Sequence, residues 1–224
     1  PSGKGRIWIH AVSVGETLSA APLVRLLRER LPDAEILFST VTITGQETAE
    51  KALGSSTDAR FYFPFDLPGI SRKFLDRVRP DIVVILETEI WPNFLAECSR
   101  RAIPAVILNG RISERSLRGY RRLRPLFSRV LGCFSAITTQ TEEDAGRFLA
   151  LGADPGAVAV TGNMKFDVAP PPGKLSPVHS LMMREKGAGA AWLVAGSTHE
   201  GEEEAVLRAF GAARAANGSV RLLL

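Results

Sequence analysis

Six short apolar runs, each bounded by turn or cap residues, constrain this chain more than any other feature: Arg6 to Val12, Glu35 to Val41, Asp81 to Leu86, Pro104 to Leu108, Ala136 to Thr139 and Val158 to Thr161. Runs of this length and composition read as buried strands. Between them lie segments with helical periodicity, Thr17 to Leu31, Gln46 to Leu53, Ile70 to Val78, Pro92 to Arg101, Arg121 to Leu131 and Glu142 to Leu151. Strands that alternate with helices pair in parallel, because each helix is the crossover that parallel neighbours need. The pattern predicts an α/β fold with a doubly wound parallel sheet.

The alternation pauses between Asp167 and Pro177, where Pro170, Pro171, Pro172 and Gly173 suit an extended linker. We therefore expect a first domain over residues 1–168, a linker over 169–178 and the opening of a second domain over 179–224. That last stretch carries a helix, a strand at Ala191 to Ala195, a helix from about Glu200 to Ala216 and an apolar run from Val220 to Leu224. It is too short for an independent core.

Function in such sheets concentrates in the loops at the carboxyl ends of the strands. Those loops are polar here: His10 to Glu16, Thr42 to Gly45, Glu87 to Pro92, Asn109 to Arg111 and Gly162 to Lys165. Two readings of Glu16 stand. With Ser13 it fits a capping box, its carboxylate bonding back to the Ser13 amide; alternatively Gly15 admits a substrate and Glu16 takes a proton from an acceptor hydroxyl. Glu87 and Glu89 flank Thr88 at a strand end, and extended geometry would put both on one face, either dressing the next helix or serving a site. Lys165 follows a Gly162–Asn163 turn, where an ammonium either sits in solvent or stabilises developing negative charge.

The segment from Arg111 to Arg129 holds Arg111, Arg115, Arg118, Arg121, Arg122, Arg124 and Arg129, and four of these recur at three- and four-residue spacing. One basic helical face is expected, either merely solvated or suited to phosphates and anionic membranes. The net charge of +4 agrees with anionic partners. Base-stacking aromatics are not interleaved, Tyr120 and Phe127 standing nearly alone, so nucleic acid is not an expected partner. Small residues at Gly196, Ser197 and Thr198 precede an acidic helix start, where Ser197 or Thr198 can cap or meet a phosphate. Neither GxxxxGK[ST] nor GxGxxG occurs. Cys98 and Cys133 lack metal-ligand spacing and His10, His179 and His199 are scattered, so no metal site or disulfide is expected, and the setting reads as reducing and cytosolic.

Taken in series, HAVSVGETLSAA (His10 to Ala21), ETEIWPN (Glu87 to Asn93), NGRIS (Asn109 to Ser113), QTEED (Gln140 to Asp144), GNMKFD (Gly162 to Asp167) and GSTHEGEE (Gly196 to Glu203) resemble the bacterial Kdo transferases. These glycosyltransferases add 3-deoxy-D-manno-octulosonic acid (Kdo) to a lipid A precursor. The resemblance implies a GT-B architecture of two Rossmann-like domains, the first binding the acceptor (lipid IVA) and the second the donor CMP-Kdo. It implies inverting, metal-independent transfer without a cofactor, at the cytoplasmic face of the inner membrane. Glu16 corresponds to the general base, Glu87 and Lys165 to residues that stabilise the transition state, and Ser13, Gly15, Thr44, Arg111, Ser197 and Thr198 become candidates for substrate binding. The membrane anchor and the complete donor domain usual in the family are not seen, so this chain is expected to be an inactive fragment. Rival readings are another GT-B enzyme, such as a UDP-sugar epimerase or lipid A disaccharide synthase, and a non-catalytic module for anionic lipid.

Overall fold

A computed structural model describes residues 5–167, 177–187 and 189–224. Packing divides the chain into two units, up to residue 168 and from residue 169 on. The expected linker over 169–178 falls mostly outside the described residues, and its last two positions, Pro177 and Val178, instead begin a helix.

The first unit alternates β1 (Arg6–His10), α1 (Val14–Arg30), β2 (Glu35–Thr40), α2 (Ile43–Leu53), β3 (Ala59–Tyr62), α3 (Pro68–Val78), β4 (Ile82–Leu86), α4 (Pro92–Arg100), β5 (Ala105–Gly110), α5 (Glu114–Arg121), α6 (Arg124–Leu131), β6 (Phe134–Thr139), α7 (Glu142–Ala150) and β7 (Val158–Val160). All seven strands are parallel, in the order β3-β2-β1-β4-β5-β6-β7. The order reverses between β1 and β4, and the loops leaving those two strands open a crevice at the carboxyl edge.

Alternation along each strand builds two cores. Ile7 and Ile9 of β1, with Ile36 and Phe38 of β2, pack against Ala20 and Val24 of α1 and Ala49 and Leu53 of α2. Trp8 faces the other way, into a core shared with Leu75 of α3, Phe94 and Leu95 of α4 and Phe148 of α7. Its ring meets Phe94 edge-on at 5.0 Å and Phe61 at 5.3 Å, and its indole N–H donates to Ser39 Oγ at 2.7 Å. A fully buried tryptophan is thus satisfied on both its apolar and polar sides.

Three expectations about elements change. Strand β3, with sequence ARFY, is an edge strand half open to solvent and shows no apolar run to announce it. The helices begin earlier than periodicity suggests, α1 at Val14 and α2 at Ile43, because Ser13 and Thr42 accept the amide hydrogens of Glu16 and Gly45 and so start the helix ahead of its apolar face. The single basic helical face is broken: Arg111 precedes α5, Arg122 is its C-cap, and Pro125 opens α6. Proline cannot donate to a preceding turn, so the chain restarts there.

The second unit comprises α8 (Pro177–Gly187), β8 (Ala191–Val194), α9 (Glu202–Ala216) and β9 (Val220–Leu223), with β8 and β9 paired in parallel. Helix α9 starts at Glu202 behind Gly201, whose φ of 91° suits glycine, so neither Ser197 nor Thr198 caps it.

Candidate active site

The loop from β1 to α1 is built around Glu16. Ser13 Oγ accepts the Glu16 amide hydrogen at 3.2 Å and donates its own hydrogen to Glu16 Oε1 at 2.8 Å. The other carboxylate oxygen, Oε2, accepts from the Val12 amide at 2.7 Å. The capping box therefore exists in altered form, with the backbone donor one residue before Ser13. Glu16 is only 8% exposed, and two donors fix its plane. A carboxylate has about four acceptor positions, so two taken still leave room for an incoming hydroxyl. The Ser13 hydroxyl is bonded to both the amide and the carboxylate of Glu16. Gly15 is exposed, and an added Cβ would come no nearer than 3.9 Å to Ser13 Oγ, so the protein itself does not require glycine there.

Beside this loop Thr42 caps α2, and the exposed Thr44 hydroxyl lies 3.5 Å from the Thr42 hydroxyl. Gly45 is where the protein does need glycine. A Cβ would fall 2.8 Å from Thr42 Oγ1 and 3.3 Å from the Val12 carbonyl, the residue whose amide holds Glu16.

After β4 the chain turns sharply. Glu87 has φ of 56°, which removes the extended geometry that would have set Glu87 and Glu89 on one face. Glu87 Oε1 instead accepts from Lys165 Nζ at 3.2 Å, across 78 residues of sequence. The Thr88 hydroxyl accepts the Arg111 amide hydrogen at 2.9 Å and donates to the Arg111 carbonyl, tying the loops after β4 and β5 together. Asp144 and Arg147 of α7 hold the next residue by its amide and its carbonyl, so the backbone at Arg111 is fixed while its side chain stays exposed.

Two residues outside the sequence-based set organise this rim. Asn109, buried with φ of 60°, accepts the Met164 amide hydrogen on its side-chain oxygen at 3.1 Å and thereby anchors the turn Met164–Asp167 that carries Lys165. Replacing it with alanine should cost about 2 kcal/mol, from left-handed strain and a lost buried hydrogen bond. Asn109→Gly should recover the backbone part only, a difference readable in urea denaturation of the chain. Asp66 caps α4 from a distance, accepting the amide hydrogens of Asn93 at 3.0 Å and Phe94 at 2.7 Å, where the N-cap residue Trp91 supplies no side-chain bond. The NGR turn marks the first, since asparagine enters the left-handed region readily; nothing in the sequence marks Asp66 as a partner of α4.

Electrostatics join the loops. Burial, then the charges of Glu16 and Glu87, raise the pKa of Glu89 to about 7. Both carboxylates are thus within electrostatic reach of Glu89, while Glu87 is paired with Lys165. His10, at the end of β1, is driven down to about 4 by burial, partly opposed by a hydrogen bond with the Ser39 carbonyl. It is a neutral ring under the rim, its centroid 4.1 Å from that of Phe63 with the two planes tilted by 31°. Among the described residues no group of three or more His, Cys, Asp or Glu side chains could hold a metal ion, and no helix is long and apolar enough to cross a membrane.

Glu16, Glu87 and Lys165 thus lie on the carboxyl rim of the first unit with Thr44 and Arg111. Ser197 and Thr198 lie in the second unit, where Ser197 adopts φ of 57° and the Thr198 hydroxyl donates to Glu203 Oε1 at 3.1 Å.

Comparison with known proteins agrees with this frame. The family model for 3-deoxy-D-manno-octulosonic-acid transferase matches residues 1–168. The 3-deoxy-D-manno-octulosonic acid transferase of Haemophilus influenzae is 36% identical over 218 residues, which are 97% of this chain and 51% of that protein. That of Bordetella pertussis is 36% identical over 214 residues, 93% of this chain and 48% of its own length. The chain spans about half the length of these curated relatives. Among solved structures, a UDP-N-acetylglucosamine 2-epimerase superposes with a TM-score of 0.63 at 12% identity, covering 98% of this chain and 63% of that one. Staphylococcus aureus MnaA with UDP gives 0.58 at 15%, covering 98% and 61%. At such identities the likeness concerns the fold alone, and that fold is GT-B. Sequence kinship is more specific: this chain belongs to the 3-deoxy-D-manno-octulosonic acid transferase family.

Proposed function

We propose that the whole protein transfers Kdo from CMP-Kdo to a lipid A precursor such as lipid IVA, in lipopolysaccharide synthesis at the cytoplasmic face of the inner membrane. The observation that carries this reading is the Glu87–Lys165 pair on the same rim as a Glu16 carboxylate oriented by two donors. In the proposed step a glucosamine hydroxyl attacks the anomeric carbon of Kdo while Glu16 removes its proton. The bond from that carbon to the CMP phosphate oxygen breaks with inversion, and the electron pair leaves on CMP. A phosphate leaving group needs little acid assistance, so the Lys165 ammonium serves to offset accumulating negative charge, with Glu87 holding it in place. The step as written uses no metal and no cofactor.

Acceptor binding falls to the first unit, where Thr44, the exposed edge at Gly15 and Arg111 border Glu16 and Glu87. The arginines of α5 and α6 are all exposed and suit the acceptor's phosphates or an anionic membrane surface. Donor binding is assigned to the second domain, with Ser197 and Thr198 as its contribution from this chain; the 224 residues alone are expected to transfer nothing.

The test is mass spectrometry of a lipid A precursor incubated with CMP-Kdo and the full-length protein. A gain of one or more Kdo units supports the reading. Turnover of UDP-N-acetylglucosamine with no Kdo gain would replace it with an epimerase, and vesicle binding with neither turnover would leave a lipid-binding module.

A further inference from the structure

Between α4 and the α5–α6 pair lies a cavity of about 340 Å³, within the lower range of small-molecule sites at about 300–1,000 Å³. Tyr120, Leu126, Phe127 and Val130 form its wall, and Thr88 and Glu89 bring it to the catalytic rim. Tyr120 and Phe127 stack at 4.2 Å, closing one side with a rigid aromatic pair. Leu123 and Leu126, at the junction of the two helices, are 56% and 50% exposed. Apolar side chains so displayed beside a cavity call for an apolar ligand.

The surroundings of this cavity narrow the ligand further. Arg118, Arg121 and Arg122 on the same hairpin are exposed and have no acidic partner within ion-pairing distance among the described residues. Arg124 donates to the Ala150 carbonyl from its Nε, leaving the rest of its guanidinium free. Unpaired guanidinium groups on the hairpin that walls an apolar cavity complement an amphiphile with an anionic head and a hydrocarbon tail. Glu89, half-buried on the wall nearest the site, has no hydrogen-bond or ion-pair partner among the described residues.

We infer that this cavity takes an acyl chain of the phosphorylated acceptor, with the α5–α6 arginines on its phosphate and Glu89 as the polar group beside the chain. The inference deepens the acceptor assignment above and rests on it for the identity of the amphiphile. A chain in the cavity strips water from Glu89 and favours its protonated form, so binding and protonation are linked. Glu16 from α1 and Glu87 from its own loop face Glu89 and reinforce the effect, while Lys165 is committed to Glu87.

Isothermal titration of the 224-residue chain with dioctanoyl phosphatidylglycerol, below its micellar concentration, tests this without donor or turnover, because its phosphodiester keeps a single negative charge between pH 6 and pH 8 whereas a phosphate monoester would itself ionise there. We expect saturable binding that weakens several-fold between pH 6 and pH 8, a dependence that Glu89→Gln flattens. Leu126→Glu, at a half-exposed position where the fold tolerates charge, should weaken binding at least tenfold, and inorganic phosphate should compete poorly. Equal binding of inorganic phosphate, or affinity unchanged in Leu126→Glu, or a pH dependence retained in Glu89→Gln, would overturn the inference. Kdo transfer that stands while acyl binding fails would sink the cavity alone; acyl binding that stands without transfer would sink only the reaction.

Discussion

On the proposed mechanism, Glu16→Gln should lower kcat of the full-length protein by about 10²- to 10⁴-fold, the usual contribution of a positioned general base. The substitution keeps an oxygen that can accept one of the two hydrogen bonds from Val12 and Ser13 but cannot take a proton. Stability should fall by only about 1 kcal/mol, the worth of one such bond. Thermal denaturation of the variant beside its kinetics therefore separates a lost base from a lost fold. Ser13→Ala offers the complementary case. It removes the helix cap, at a cost of about 1 kcal/mol, and frees one side of the carboxylate, so its kcat should fall by less than that of Glu16→Gln. Full turnover in Glu16→Gln would remove Glu16 from the chemistry and return it to a capping role.

The second large effect concerns acid. Burial lowers the pKa of His10 from 6.5 to about 4, so in that interval the native ring stays neutral while the unfolded chain takes up a proton. Stability from this source is complete above pH 6.5 and is lost as the pH falls towards 4. At about 1.4 kcal/mol for each tenfold change in proton affinity, the loss is about 3 kcal/mol. Glu89 pulls the other way. Its pKa is raised from 4.5 to about 7, so the native state holds the extra proton and stability declines as the pH rises across that range. The two slopes oppose one another, and the unmodified chain should change little between pH 4.5 and 6.5. Urea denaturation of Glu89→Gln should expose the His10 slope, and a second substitution, His10→Gln, should flatten it. A slope surviving in the double variant would show that another group carries it.

The central strands were legible because β1, β2 and β4 are buried on both faces and so consist of near-continuous apolar residues. Strand β3 was not, since an edge strand bounded by solvent needs no such run. The Ser13–Glu16 spacing announced a cap, but that Val12 rather than Ser13 supplies the amide depends on how the loop enters the helix. Convergence of the polar loops on the carboxyl edge follows from a parallel sheet. The pairing inside it does not: Lys165 reaches Glu87 from a turn that Asn109 holds by the Met164 amide, and burial, with the charges of Glu16 and Glu87 added, raises the pKa of Glu89 to about 7. The broken basic face shows the opposite failure, in which regular spacing of arginines concealed the restart at Pro125.

If Glu87 serves the proposed transfer, its left-handed turn sets two selective pressures against each other. A side chain held at φ of 56° costs about 1–2 kcal/mol that glycine would not pay. A library of this protein selected for heat resistance alone should drift towards glycine at position 87, whereas one selected for sugar transfer should hold glutamate. The identity of that single residue in an evolved population would then record which of the two demands the population had met.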